Sequence, residues 1–248
     1  MALFLLLKEI RMSTFVQLTN ELLRRLNEVP LDIAGDGFGT VRNVQAAAKD
    51  AINSSLREIY QNGQEWPFLK TTYTQTLTAG TREYSFPSDY SSVDWETFYL
   101  KKNTAQNNQA TVLKPMSYEE YIANFRPKDD DADQVNGEGA PQRVYQTFGD
   151  KFGVTPIPNA AYEIEYVYWN IPASLNAYDD LCAVPERFNH VILDGAMTYM
   201  MHFRSNAQAA NMHQQKFDMG IRSMKRVLMD DELMVRSTVI ERTHKWTI

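Results

Sequence analysis

Residues 162–168 read YEIEYVY and lie towards the end of the predicted β-rich part of this 248-residue chain. Apolar and aromatic side chains alternate with polar ones, and those on one face of an extended backbone are Tyr162, Ile164, Tyr166 and Tyr168. Glu163 and Glu165 fall on the opposite face. A period of two residues is typical of an antiparallel strand with one face in the core and the other in water. This part of the chain is therefore predicted to form an antiparallel sheet.

Other strand patterns surround this stretch. Residues 143–148 and 151–155 flank a Gly149-Asp150 pair, which predicts a hairpin with a two-residue turn. β-branched and aromatic residues predict further strands at 72–78, 83–86, 93–101 and 111–115. A capping box, Ser117 with Glu120, predicts a short helix over 118–125.

Helical spacing dominates both ends of the chain. A capping box of Thr14 and Gln17 begins a helix that is predicted to end at Pro30, and a second helix is expected from about Thr40 to Asn62. Towards the C-terminus, Pro185 suits the first position of a helix, and Asn206 begins a last helix. We expect this last helix to end at the acidic residues 230–232, and 233–248 lack helical spacing.

The order of helices, strands and helices predicts an α+β fold: an antiparallel helical bundle, formed by the N- and C-terminal helices, with an inserted antiparallel β domain. The predicted bundle is discontinuous and is built from 12–66 and 184–231. The β domain is 67–183 and includes an acidic loop at 127–141. The remaining parts are an N-terminal extension, 1–11, and a C-terminal arm, 232–248.

The composition excludes several classes of protein. The chain has 25 Lys and Arg residues against 31 Asp and Glu residues, and the net charge of −6 argues against a protein that coats nucleic acid. A single cysteine, Cys182, excludes a disulfide scaffold. The apolar run at 3–7 is too short for a signal peptide or a membrane span. We expect a soluble protein, made in a reducing cytoplasm, without a membrane partner.

Motifs for catalysis are weak. The glycines at 35–39 follow a helix and no Gly-Lys pair follows them, so an interhelical loop is predicted rather than a phosphate site. His190 and Asp194 are one helical turn apart but lack a third metal ligand, and His202 and His213 have no partner at helical spacing. Cys182 has no nucleophile signature around it and is expected to be a small buried residue. We predict no enzyme activity, no cofactor and no metal site.

The acidic loop lacks the Gly and Glu that a calcium loop needs at its sixth and twelfth positions. We expect its carboxylates to lie on a subunit or channel surface: Asp129, Asp130, Asp131, Asp133 and Glu138. A metal-dependent hydrolase that uses this loop stays as an alternative.

Aromatic residues on and beside the predicted strand 162–168 could stack on bases, as they do in proteins that bind single strands. Their charged neighbours are Glu rather than Lys or Arg, so the core or a subunit interface is favoured for Tyr162, Tyr166, Tyr168 and Trp169. A nucleic-acid-binding module that uses these aromatic strands is the other alternative.

The C-terminal arm is basic and partly apolar. It could be a frayed terminus, but its aliphatic residues and tryptophan favour ordering against a protein partner. The residues that we expect to make this contact are Val235, Arg236, Val239, Ile240, Arg242, Lys245 and Trp246.

Several motifs, in order, resemble the head-to-tail adaptor proteins of short-tailed bacteriophages, of the connector or tail tubular protein A type. The resemblance runs from about Met12 to Asp231. Its marks are WPFL at 66–69, LTAGTREY at 77–84, FPSDY at 86–90, LKPMSYEEY at 113–121, PQRVY at 141–145, PIPNAAY at 156–162 and VPERF at 184–188. Residues 1–11 depart from that pattern, and 127–141 resembles an insertion.

The resemblance implies a structural virion protein without an active site. Such adaptors form a homo-oligomeric ring, commonly a dodecamer, between the portal protein and the tail nozzle protein in the neck of the virion. Double-stranded DNA passes through the ring during ejection without specific binding, and in several relatives the C-terminal arm reaches the portal. The resemblance therefore implies assembly in the host cytoplasm and a portal-binding role for the arm.

Overall fold

The computed structural model describes residues 12–31, 38–62, 65–102, 110–129 and 138–236. Its helices, numbered along the chain, are α1 (Phe15–Arg25), α2 (Val44–Gln61), α3 (Tyr118–Asn124), α4 (Arg126–Asp129), α5 (Asn189–Phe203) and α6 (Ala207–Arg236). Its strands are β1 (Met12–Thr14), β2 (Lys70–Leu77), β3 (Glu83–Ser85), β4 (Tyr90–Val93), β5 (Tyr99–Leu100), β6 (Thr111–Val112), β7 (Lys114–Met116), β8 (Glu138–Gly139), β9 (Arg143–Gln146), β10 (Lys151–Thr155), β11 (Ile157–Pro158), β12 (Tyr162–Asn170) and β13 (Leu181–Pro185). The fold is mixed, with helices and mainly antiparallel sheets.

The described residues form two compact units. Unit 1 combines two segments of the chain, up to Phe68 and from Ala173 onward. It holds α1, α2, α5 and α6, together with an antiparallel pair of β1 and β13. Unit 2 is the continuous segment Leu69–Pro172 and holds the other strands and the two short helices. The strand β13 therefore belongs to unit 1, because its only strand partner among the described residues is β1.

The first predicted helix is confirmed at its start. The Thr14 side chain accepts a hydrogen bond from the backbone of Gln17, and the Gln17 side chain accepts one from the backbone of Thr14. Helix α1 ends well before Pro30, because Asn27 has a left-handed backbone with φ of 58°. The backbone N–H of Glu28 then bonds to the carbonyl of Leu23, 2.9 Å away, which closes the last turn in a Schellman motif.

Helix α5 contacts the other three helices described in unit 1, which are α1, α2 and α6. Its buried apolar residues include Val191, Ile192, Leu193, Ala196, Met197 and Met200. Gly195 of α5 faces both α2 and α6. A Cβ added there would come within 2.3 Å of Ser55 Oγ and 2.8 Å of the Phe217 ring. The Ser55 hydroxyl donates a hydrogen bond to the Ile192 carbonyl, 2.9 Å away. The glycine is thus what permits this packing distance.

The turn between α5 and α6 closes in the same way as the end of α1, with a left-handed residue and a backbone hydrogen bond. Ser205 has a φ of 57°, and the Asn206 backbone bonds to the Met201 carbonyl at 2.9 Å. The Asn206 side chain accepts a hydrogen bond from the Ala209 backbone at 3.1 Å, so the predicted start of the last helix is confirmed.

The predicted end of that helix is wrong. Helix α6 continues through the acidic residues 230–232 to Arg236. Acidic residues oppose the helix dipole only when they lie at a C-terminal end, and here they lie inside the helix. The residues that follow, Glu232 to Arg236, are mostly good helix formers. The arm therefore begins after Arg236 rather than at 232, and Val235 and Arg236 are helical.

Pro185 also differs from its predicted place. It ends β13, where it lies opposite Met12 of β1, instead of opening a helix. One turn of 3-10 helix, Glu186–Phe188, follows before α5 begins at Asn189. Proline is tolerated at the end of this strand for the same reason as at the start of a helix, because neither position needs a backbone N–H.

Unit 2 is built around β12. Its main sheets have the strand orders β2-β12-β5-β6, with β4 also paired to β12, and β3-β10-β9-β7. The predicted hairpin is confirmed as a strand pair: β9 and β10 are antiparallel neighbours, and Gly149 between them has a φ of 72°. The predicted two-residue turn is wrong, because Thr147 N bonds to the Lys151 carbonyl and three residues, 148–150, lie between this pair. The strand predicted over 93–101 is interrupted. The Asp94 side chain accepts a hydrogen bond from the Glu96 backbone and starts a 3-10 turn that separates β4 from β5.

The core of unit 2 is aromatic. The Tyr166 ring of β12 stacks on Phe98, with ring centroids 4.7 Å apart, and Phe86 and Phe152 pack around this pair. Aromatic pairs of this geometry contribute roughly 0.5–1.5 kcal/mol each beyond the burial of their surface. The alternation seen in the sequence therefore places a stack of rings at the centre of the sheets.

The close approach at Gly195 predicts a loss of stability in a Gly195→Ala variant. Helix propensity alone would stabilise this variant by about 1 kcal/mol, but overpacking against Ser55 and Phe217 should cost more. We expect a net decrease of about 1–3 kcal/mol in the free energy of unfolding, measured in urea. The control is Ser223→Ala at an exposed position of α6, which should change stability by less than about 0.5 kcal/mol. A stabilised Gly195→Ala protein would contradict the packing described.

Candidate functional site

The aromatic residues of β12 lie in the interior of the chain. The side chains of Tyr162, Tyr166, Tyr168 and Trp169 are all buried, and the three tyrosines belong to the core cluster of unit 2. The Tyr168 hydroxyl donates to the Asp89 carboxylate at 3.1 Å. Of the two settings left open by the sequence, these positions fit the core. Buried rings are not accessible to bases, so they do not supply the stacking platform that single-strand binding needs.

An apolar groove of about 810 Å³ lies on the surface of unit 2. Its lining includes Trp95, Met116, Tyr118, Glu119, Glu120 and Phe148. Phe148 is 80% exposed, although its ring meets that of Tyr118 edge-on at 5.1 Å. Large apolar side chains with so much exposed surface often mark contacts with other proteins. The sequence carries no local signal of this groove, because its walls come from strands and a helix that are distant along the chain.

The two described ends of the acidic loop, Asp129 and Glu138, differ in their exposure to solvent. Asp129 is the last residue of α4 and is partly buried, and its carboxylate accepts a hydrogen bond from the Thr155 hydroxyl at 3.2 Å. This contact turns Asp129 towards β10 and differs from the open surface position predicted for it. Glu138 is exposed at the start of β8, which pairs in parallel with β11. Asp130, Asp131 and Asp133 lie outside the described residues.

The arm predicted to bind a partner is divided by the structure. Val235 and Arg236 form the last residues of α6. The other predicted contact residues lie outside the described part of the chain: Val239, Ile240, Arg242, Lys245 and Trp246. The N-terminal extension 1–11 and the glycines at 35–37 lie outside it as well.

In the ranges that the structure describes, no group of three or more His, Cys, Asp or Glu residues could hold a metal ion. His190 is exposed, and Asp194 instead pairs with His213, whose Nδ1 lies 3.0 Å from the carboxylate. This pair links α5 to α6 and is mostly buried. His213 has no partner at helical spacing on its own helix, and its partner comes instead from the neighbouring helix α5.

Cys182 is fully buried in β13. Burial raises the pKa of its thiol from 9.0 to about 11, against smaller opposing effects of hydrogen bonds from the Val184 backbone and the Tyr60 hydroxyl. A nucleophilic cysteine needs the thiolate, whereas this environment favours the neutral thiol. Cys182 is therefore a packing residue, as the sequence predicted.

Among the described helices, none is long and apolar enough to cross a membrane.

Comparison with protein families gives a match over most of the chain: residues 13–242 fit the family model described as SU10 adaptor protein. This match identifies a structural adaptor protein of bacteriophages rather than a member of an enzyme family. The chain belongs to the SU10 adaptor protein family. The resemblance to phage head-to-tail adaptors is thereby confirmed. No curated protein matches the chain in sequence.

The raised pKa of Cys182 predicts a pH dependence of stability. Between the ordinary thiol pKa of 9.0 and the folded pKa of about 11, the unfolded chain loses a proton that the folded chain keeps. The contribution of this thiol is therefore complete at neutral pH and is lost as the pH rises, by at most about 1.4 kcal/mol per pH unit. Urea unfolding between pH 8 and 10.5 should give a shallower decline for Cys182→Ala than for the wild type. Parallel declines would contradict the assignment.

Proposed function

We propose that this chain is a head-to-tail adaptor that forms a ring between the portal protein and the tail nozzle protein of a phage virion. The match of residues 13–242 to an adaptor family is the observation that carries this proposal. Subunits of a ring meet through heterologous contacts, in which two different surfaces of each copy are used and the rotation closes. The ring is a dodecamer, as is common in the adaptors that the sequence resembles, and it assembles in the host cytoplasm.

The two units of the chain suggest a division of labour. We interpret unit 1 as a helical bundle that sits against the portal, and unit 2 as an inserted β domain that faces the tail. The apolar groove around Phe148 supports a protein contact on unit 2, since an 80% exposed phenylalanine is costly to leave in water. In this placement, the tail nozzle protein would bind at the groove.

The segment after α6 is the proposed portal-binding arm. Residues 237–248 combine the basic residues Arg242 and Lys245 with Val239, Ile240 and Trp246. A partner that offers an apolar groove with acidic edges would satisfy both kinds of side chain. Tryptophan and arginine are also the residues that most often dominate the energy of protein contacts.

The charge of the chain suits a conduit for DNA. A net charge of −6 repels phosphates, so double-stranded DNA would pass through the ring without specific binding during ejection. We place Asp130, Asp131, Asp133 and Glu138 on the channel or on an outer edge of the ring. Asp129 is left out of this set because its carboxylate contacts Thr155.

The proposed function predicts assembly on a portal. The purified chain should change from its own size to that of a complex when portal rings of the same phage are added, as measured by light scattering coupled to gel filtration. A chain that forms a ring by itself would also give a discrete larger species before mixing. If the size of the chain is the same with and without portal rings, the proposal fails.

The arm can be tested by a truncation after Arg236, which leaves α6 whole. We expect this variant to keep the circular dichroism spectrum and melting temperature of the full chain but not to join portal rings in a co-sedimentation assay. A variant with residues 237–248 in scrambled order is the matched control, since it keeps the length and charge of the arm. Normal binding by the truncated chain would show that the arm does not hold the portal.

A further inference from the structure

The sheet β2-β12-β5-β6 has two edges within the described residues, and one of them is long. Strand β2 spans Lys70–Leu77, and its partner over this whole length is β12. At the other edge, β6 spans Thr111–Val112 and pairs with β5. Each of these strands has one side that no described strand covers.

The hydrogen bonds of β12 reveal which backbone groups of β2 point outward. The Glu163 carbonyl accepts from Lys101 N at 2.8 Å, and the Val167 carbonyl accepts from Asp94 N at 3.0 Å. Odd-numbered residues of β12 therefore face β5 and β4, and even-numbered residues face β2. Their opposite residues in β2 are Thr71, Tyr73, Gln75 and Leu77, which bond to β12. The outward N–H and C=O groups consequently belong to Thr72, Thr74 and Thr76.

This edge lacks the usual protection against pairing. Proteins guard long edges with proline, bulges or central lysines, and β2 contains none of these: Lys70 lies at its first position. Thr72, Tyr73, Thr74 and Thr76 are exposed, and threonine and tyrosine both favour strands. By contrast, the other sheet is guarded at β7. Lys114 N turns towards the Gln142 carbonyl, so the outward residue is Pro115, which has no N–H.

The opposite edge can complement β2. Leu113 N bonds to the Phe98 carbonyl at 2.8 Å, so the neighbouring residue Val112 turns its backbone groups outward. Val112 is 56% exposed. Val112 lies opposite Tyr99 of β5. Tyr99 lies opposite Glu165 of β12, and Glu165 lies opposite Thr74 of β2. Residues directly opposite one another share a face of the sheet, so the side chains of Val112 and Thr74 are both on the solvent face.

The directions of the strands decide how copies can join. Each neighbouring pair in β2-β12-β5-β6 is antiparallel, so β6 runs opposite to β2. Copies in a cyclic ring all have the same orientation, and β6 of one copy beside β2 of the next therefore forms an antiparallel pair. We propose that this contact joins the sheets of neighbouring copies through Val112 and one of Thr72, Thr74 and Thr76. The inference rests on the proposed ring.

Disulfide cross-linking tests the contact. Opposite residues of a hydrogen-bonded antiparallel pair have Cα atoms about 5.5 Å apart, within the roughly 4.4–6.8 Å that a disulfide spans. Three double variants combine Val112→Cys with Thr72→Cys, Thr74→Cys or Thr76→Cys. After assembly on portal rings and oxidation with diamide, we expect one of the three to give a ladder beyond the dimer on a non-reducing gel. Each variant with a single added cysteine is its control, and buried Cys182 adds no background.

The outcomes separate this inference from the proposed function. If the variants assemble on portal rings and none of the three gives a ladder, the β2–β6 contact is wrong and the adaptor function stands. Dimers from a single Thr74→Cys variant would indicate a two-fold β2–β2 contact and would also overturn the proposal. If the wild-type chain does not assemble on portal rings, both proposals fail.

A second measurement avoids substitutions. On assembly of the wild-type ring, amide hydrogen exchange at Thr72, Thr74 or Thr76 should slow at least tenfold, because an exposed N–H becomes a ladder donor. Amides of Thr71 and Gln75, already bonded to β12, serve as the internal reference. Unchanged exchange along β2 in the assembled ring would overturn the contact.

Discussion

The close contact of α5 with α2 and α6 at Gly195 is the constraint on which unit 1 depends. The hydrogen bond from Ser55 to Ile192 joins residues 137 positions apart, and the Ser55 hydroxyl and the Phe217 ring leave no room for a Cβ at Gly195. Since α1 and α2 come from the first part of the chain and α6 from the last, α5 is the element on which both parts meet. The β1–β13 pair and the two hydrogen bonds between Asn53 and Leu175 join the same two segments of unit 1.

Because both ends of the chain belong to unit 1, the segment between them can fold as a unit with its own core. The centre of that core is β12, which pairs with β2, β4 and β5 and carries the tyrosine whose ring stacks on Phe98. One face of this strand builds an aromatic interior. Its sheet ends in two edges that run in opposite directions, which is a geometry suited to joining identical copies in a ring.

Membership of an adaptor family and the properties of the surface point the same way. Phe148 is an exposed apolar side chain, β2 is an unguarded edge, and the segment after Arg236 mixes basic residues with apolar ones. Each of these features is costly or hazardous for a chain that acts alone, and each would be accounted for by the partners that we propose. In the function that we propose, the negative net charge would keep passing DNA from adhering.

The sequence alone determined the features that depend on neighbours along the chain. The capping box at Thr14, the helix cap at Ser117, the hairpin at Gly149 and the alternation of β12 follow from local spacing in the sequence. The family resemblance follows from the order of longer motifs along the chain. Only the tertiary structure decided what those elements meet. It placed the β12 rings in the core, turned Asp129 towards Thr155, paired His213 with Asp194 and carried α6 through its acidic residues. These outcomes depend on contacts between distant parts of the chain, whose packing energies outweigh local preferences and leave no periodic trace in the sequence.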